Sequence, residues 1–202
     1  MSLSIKRVVS IFIIRPTQHK NAYHNHEVAI FRRCATMPTF PHHWAAISGS
    51  IEDDDINPLE AAVRELKEET NINDALSCSL RSCIKQGLHV DVSSSKSKDA
   101  FDGRIIRVYP FALTLPSNRN DDDSFLMSDI EMKGTEHDKM QFISVQKFME
   151  LSDSDLVPSL KMAFHHATRG MYLEVSMNDT SSNNFDTCSL FHISSHMKSY
   201  QM

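Results

Sequence analysis

Residues 57–69 read Asn-Pro-Leu-Glu-Ala-Ala-Val-Arg-Glu-Leu-Lys-Glu-Glu, a helix with its own start signal. Asn57 is a strong N-cap, Pro58 suits the first helical position, where no backbone donor is needed, and Glu60 stands three residues after Asn57 to close a capping box. Leu59, Ala62, Val63 and Leu66 recur at the spacing of one apolar face, while Glu65, Glu68 and Glu69 fall on the neighbouring face, Glu65 and Glu69 one turn apart. Arg64 can pair with Glu68 four residues on. Asn71 is expected to end the helix, because asparagine tolerates the left-handed conformation. Upstream, residues 44–48 form a short apolar strand entering Gly49, followed by the acidic loop Glu52-Asp-Asp-Asp55. An acidic helix alone is commonly a solvated face. Strand, glycine, acidic loop and capped helix in that order instead gather the oxygen donors a hard divalent cation takes.

This succession resembles the Nudix hydrolase family, whose signature is G-x5-E-x7-R-E-u-x-E-E-x-G-u with u aliphatic. Gly49, Arg64, Glu65, Leu66, Glu68, Glu69 and Ile72 match it. The loop from Gly49 to Arg64 is one residue longer than the signature, and counting back from Arg64 puts Ile56 in the place of the first glutamate. Glu52 or one of Asp53, Asp54 and Asp55 then has to substitute. Asn71 stands where the signature has glycine, a mild change for a residue that caps. The resemblance implies an α+β fold, a three-layer α/β/α sandwich with a mixed β-sheet, over about residues 5–169. The motif helix would pack on one face and a helix opened by Pro158 on the other.

The resemblance also implies Mg2+ or Mn2+, with Glu65 and Glu69 as main ligands, Glu68 as a further ligand or base, the carbonyl of Gly49 in the same shell, and Arg64 among the catalytic residues. Family members commonly add an acid on a loop before a late core strand. Glu136 has that kind of place, and His137 beside it is a candidate acid, base or substrate contact near neutral pH. Arg32 and Arg33, at the end of the second strand, are candidates for substrate phosphate. The implied activity is metal-dependent cleavage of the phosphoanhydride bond of a nucleoside diphosphate linked to another moiety. The alternative is a catalytically inactive Nudix-like nucleotide-binding or regulatory module, motivated by the altered loop. Within the family, residues 43–52 and the Glu136-His137 pair look most like eukaryotic members, fungal ones especially, that can be fused to a translation initiation factor 2B-like domain.

The formal charge of −5 argues against a general nucleic-acid binder or RNA cap hydrolase, which would need a basic path, and favours a small-molecule partner reached through bridging cations. At 202 residues, 41% apolar and 23% charged, the chain suits one soluble domain with a sizeable core. Cys34, Cys78, Cys83 and Cys188 form no paired spacing and read as reduced thiols of the cytosol or nucleus. Residues 8–14 are too short an apolar run for a membrane span and read as a buried strand. A homodimer is compatible with this reading. Further strands are expected over 27–32, 76–84, 88–92, 104–115 and 140–145, a short helix over 144–151, and a last helix from Pro158 that Gly170 stops. Residues 93–103 and 116–135 read as inserted loops, and 171–202 as a tail or weakly packed appendage. Trp44 is expected in the core, Phe40 in the core or against a base. His42-His43 and His165-His166 lack partners at zinc spacing.

Overall fold

A buried central strand organises the sheet of the protein. The computed structural model describes residues 5–16, 26–72, 81–93, 105–115 and 130–178. Strand β1 (Ile5–Pro16) is apolar on both faces, as expected of a strand covered by layers on each side. Strand β7 (Ile105–Thr114) runs parallel to it from Ile5↔Ile105 to Ile14↔Thr114. Among the described residues every other pairing between strands is antiparallel. Strand β4 (Ile47–Ser50) lies on β1 with Val9 opposite Gly49, and β2 (His26–Arg33) lies beside β3 (Trp44–Ala45) and β8 (His137–Ser144). Short strands β5 (Ile84–Gln86) and β6 (Val90–Ser93) pair with β7. The sheet is therefore mixed, with eight strands.

Alternation along β1 separates two cores. Val9, Ile11 and Ile13 join Ala29, Phe31 and Ile47 in a cluster closed by Ala61, Ala62 and Leu66 of helix α1 (Pro58–Glu69). Phe12, on the other face, meets the ring of Phe164 at 5.3 Å, and Phe164 meets Phe148 at 5.0 Å. Those rings belong to helices α2 (Val145–Glu150) and α3 (Leu160–Asn178). Three layers result, in the expected α/β/α order, and burying twenty-two Val, Ile, Leu and Phe side chains among the described residues, at roughly 1.5–3 kcal/mol each, is the main term that offsets the chain entropy.

Several local expectations need correction. Asn57 caps α1, its Oδ1 accepting from Leu59 N at 2.9 Å and Glu60 N at 3.1 Å, but Glu60 pairs with Arg81. Asn71 does not end the helix in the left-handed region. Thr70 caps it in extended conformation, and among the described residues only Phe40, His42 and Ser159 are non-glycines with positive φ. Asn71 pairs instead with Glu131: Asn71 N donates to Glu131 O, and Glu131 N to Asn71 Oδ1, each at 3.1 Å. Gly170 does not stop α3, which continues to Asn178, since glycine inside a helix costs only about 1 kcal/mol. The unit Met1–Gly170 is compact by itself. Most of the expected strand 76–84, the loop 93–103 after Ser93, most of the loop 116–135, Cys78, Cys188 and residues 179–202 lie outside the described residues. Among the described residues, no helix is long and apolar enough to cross a membrane.

Candidate active site

Gly49 brings β4 against α1. A Cβ there would lie 1.9 Å from Oε1 of Glu65, so only glycine leaves room for that carboxyl group over the strand backbone. Glu65 is 8% exposed, and burial pushes its carboxyl up to about 7, against the opposing pull of Arg64.

Arg64 is the hub of this end of the site. Its Nη1 donates to Glu65 Oε1 at 2.7 Å and to Glu68 Oε2 at 3.3 Å, and its Nη2 donates to the Ser50 carbonyl at 2.9 Å and to Asp55 Oδ2 at 3.0 Å. Nε reaches Asp55 Oδ1 at 3.3 Å, which makes the Asp55 contact a two-pronged one. Asp55 also accepts from Glu52 N at 2.8 Å, and the guanidinium holds its carboxyl below the usual carboxylate range. Glu52 is only a distant neighbour of Arg64, at 3.9 Å. Asp55 thus makes the contact sought for a displaced first glutamate. Counting forward from Gly49, rather than back from Arg64, lands on it. The extra residue falls after it, where Ile56 is 87% exposed.

The other end of the site is built differently. Glu69 is 6% exposed, neither of its carboxylate oxygens is in a well-aligned hydrogen bond, and Oε2 lies 3.0 Å from His137 Nδ1 as an ion-pair contact. Burial raises its carboxyl, and the nearby charge of Glu136 acts in the same direction. The second ring nitrogen of His137, Nε2, is buried without a partner. The sequence gives no sign of this pair, because it depends on β8 pairing with β2 so that His137 stands opposite Arg33.

The structure therefore gathers Gly49, Arg64, Glu65 and Glu68 in one contact network and sets Glu69 with His137 beside Glu136. Glu68 is the exposed member, its side chain 57% accessible. Arg32 and Arg33 make different contacts, one on each side of an irregularity in the β2–β8 register. Arg32 Nε donates to Asp138 at 2.7 Å, half in solvent. Arg33 is buried, and its Nε donates to the Thr39 carbonyl at 3.0 Å, so it anchors the 34–43 loop. Trp44 is partly buried, with Lys139 Nζ 5.7 Å from its ring.

Among the described residues no three histidine, cysteine, aspartate or glutamate side chains close into a cage. Magnesium does not require one. It binds through one or two carboxylates, keeps several waters, and leaves positions for substrate oxygens. A buried carboxylate oxygen without a partner, one helical turn from a second buried carboxylate, fits that requirement.

The model of the NUDIX domain family matches residues 5–160. No curated protein sequence matches the chain. Similar solved structures include the NUDIX domain of Shewanella oneidensis NrtR complexed with ADP ribose, at TM-score 0.56 and 12% identity, covering 85% of this chain and 90% of that one. A MutT protein from Methanosarcina mazei Go1 follows at TM-score 0.55 and 15% identity, covering 85% and 98%. A bifunctional NMN adenylyltransferase/ADP ribose pyrophosphatase from Francisella tularensis, complexed with AMP and a manganese ion, gives 0.54 and 18%, covering 86% of this chain and 42% of that one. At these identities the likeness concerns the fold. The comparisons lend no support to the eukaryotic subgroup fused to an initiation factor 2B-like domain.

Proposed function

Since the chain belongs to the Nudix family, we propose that it is a metal-dependent hydrolase cleaving the phosphoanhydride bond of a nucleoside diphosphate linked to another moiety. The observation that carries this reading is the Glu69 carboxylate, buried with Oε1 free of partners one turn from Glu65. Glu65 and Glu69 would hold Mg2+ or Mn2+, with the exposed Glu68 and the Gly49 carbonyl as further donors. A cation so held neutralises diphosphate charge and makes water more acidic. Arg64 fixes the Glu65 carboxyl through Nη1 while its other nitrogens are fixed by Ser50 and Asp55. Glu68 or Glu136, both exposed to solvent, would take the proton of the attacking water.

Arg32, whose guanidinium is half in solvent, would turn to a substrate phosphate more readily than Arg33, which Thr39 occupies. His137 Nε2, buried and unpartnered, is the third candidate contact. Solved relatives that hold ADP ribose, or AMP with manganese, support a nucleotide-derived substrate. The altered loop was the ground for an inactive binding module, and Asp55 in contact with Arg64 removes much of that ground.

The test is turnover by the purified chain of a panel of nucleotide sugars, ADP-ribose, dinucleoside polyphosphates and coenzyme A derivatives under Mg2+ or Mn2+, with Glu69→Gln alongside. Turnover that falls by about 10²-fold or more in the variant is expected. Silence across the panel from folded, metal-loaded protein overturns the hydrolase.

A further inference from the structure

One short segment grips Glu69 at both its main chain and its side chain. Lys133 N donates to the Glu69 carbonyl at 2.7 Å, and His137 Nδ1 lies 3.0 Å from its Oε2. The segment between them is itself fixed. Asn71 and Glu131 exchange two hydrogen bonds, Thr70 and Met132 form a bridge, and Cys34 N donates to the Glu136 carbonyl at 2.9 Å. The imidazole lies 5.5 Å from the ring of Phe31, and the His137 side chain is 5% exposed. The ring thus meets the motif helix at one carboxylate oxygen.

We propose that His137 is a positioning residue for Glu69: its Nδ1, 3.0 Å from Oε2, engages that oxygen and so turns Oε1 toward the divalent cation. This rests on the metal-dependent reading above, and it assigns His137 a role separate from substrate contact. Partners that orient a metal-binding carboxylate are part of the site's affinity, and their loss typically weakens metal binding ten- to hundredfold. A free carboxylate samples rotations in which neither oxygen faces the cation. The cost of restricting it is met when the 131–137 segment folds against α1.

The experiment is Mn2+ titration of the full chain, followed by the electron paramagnetic resonance signal of free Mn2+, for wild type, Glu69→Gln, His137→Ala, His137→Asn and His137→Gln, with thermal unfolding of each. An asparagine amide nitrogen falls close to the place of Nδ1, and a glutamine amide close to that of Nε2. His137→Ala and His137→Gln are expected to weaken Mn2+ about ten- to hundredfold, and His137→Asn to stay within about threefold of wild type. Binding by His137→Ala as tight as wild type, or rescue by glutamine as good as by asparagine, overturns the assignment while leaving the metal site standing. Wild type that takes up no Mn2+, or Glu69→Gln that binds like wild type, overturns the metal reading and this inference with it.

Discussion

The two ends of the acidic stripe on α1 are solved by opposite means. Near Gly49, the charges of Glu65, Glu68 and Asp55 converge on Arg64, and every contact joins residues within a stretch of chain from Gly49 to Glu69. At the far end, Glu69 is more deeply enclosed, and its ion-pair partner among the described residues, His137, comes from residues 131–137. The first end is satisfied and rigid before any cation arrives. The second leaves both oxygens of a buried carboxylate and a buried ring nitrogen without hydrogen bonds, an arrangement that normally costs about 1–3 kcal/mol per group and so marks where a ligand is expected. One helix thus carries a structural end and a receptive end.

The comparison can be broken most sharply at Gly49. Gly49→Ala forces a Cβ into the Glu65 carboxyl, and because that contact is with a group packed under Arg64, Mn2+ affinity and turnover should both fall by about 10²-fold or more, read by titration and steady-state kinetics. Retained affinity would mean that Glu65 swings away without consequence for the site. Next comes pH. The folded Glu65 carboxyl sits at about 7 against an ordinary 4.5, so the folded state keeps a proton that the unfolded state releases. Metal-free protein should therefore gain stability as pH falls from about 7 to 4.5, by at most about 3 kcal/mol, and Mg2+ should stabilise more at pH 8 than at pH 5. Asp55 works the other way, since its depressed carboxyl contributes stability above its ordinary range and loses it only in stronger acid. Denaturant unfolding across pH, with and without Mg2+, checks both signs.

Asp55→Asn sharpens the contrast from the structural end. It removes one charge from a two-pronged contact and should cost about 1.5–3 kcal/mol of stability, measured by denaturant unfolding. The smallest effect is expected at Asn71→Ala, which loses the bond from Glu131 N. About 1 kcal/mol and faster hydrogen exchange at the Glu131 amide should follow, with the Arg64 network unchanged.

Legibility followed the same division. The cap at Asn57, the apolar face of α1, β1 and β7, and the acids on the motif helix are local patterns, and the sequence shows each to within a few residues. Asp55 was within reach but ambiguous, because a one-residue insertion gives different answers when counted from either anchor. The Glu69–His137 pair was out of reach. It requires the β2–β8 register, with a bulge between Arg32 and Arg33, and no local pattern encodes a pairing across a hundred residues. Asn71 and Gly170 misled for a related reason: propensity suggested helix ends, and tertiary partners or a continuing helix prevailed.

The parallel pairing of β1 with β7 has a consequence in time. Every residue from Ile5 to Ile14 finds its β7 partner a hundred positions later, so the central strand leaves the ribosome long before β7 exists. At roughly 5–20 residues per second, that interval lasts several seconds or more, during which β2 and β4 are the partners of β1 among the described strands. The histidine that orients Glu69 emerges later still, so nascent chains pass through a stage in which the central strand awaits a partner and the receptive end of α1 is unfinished.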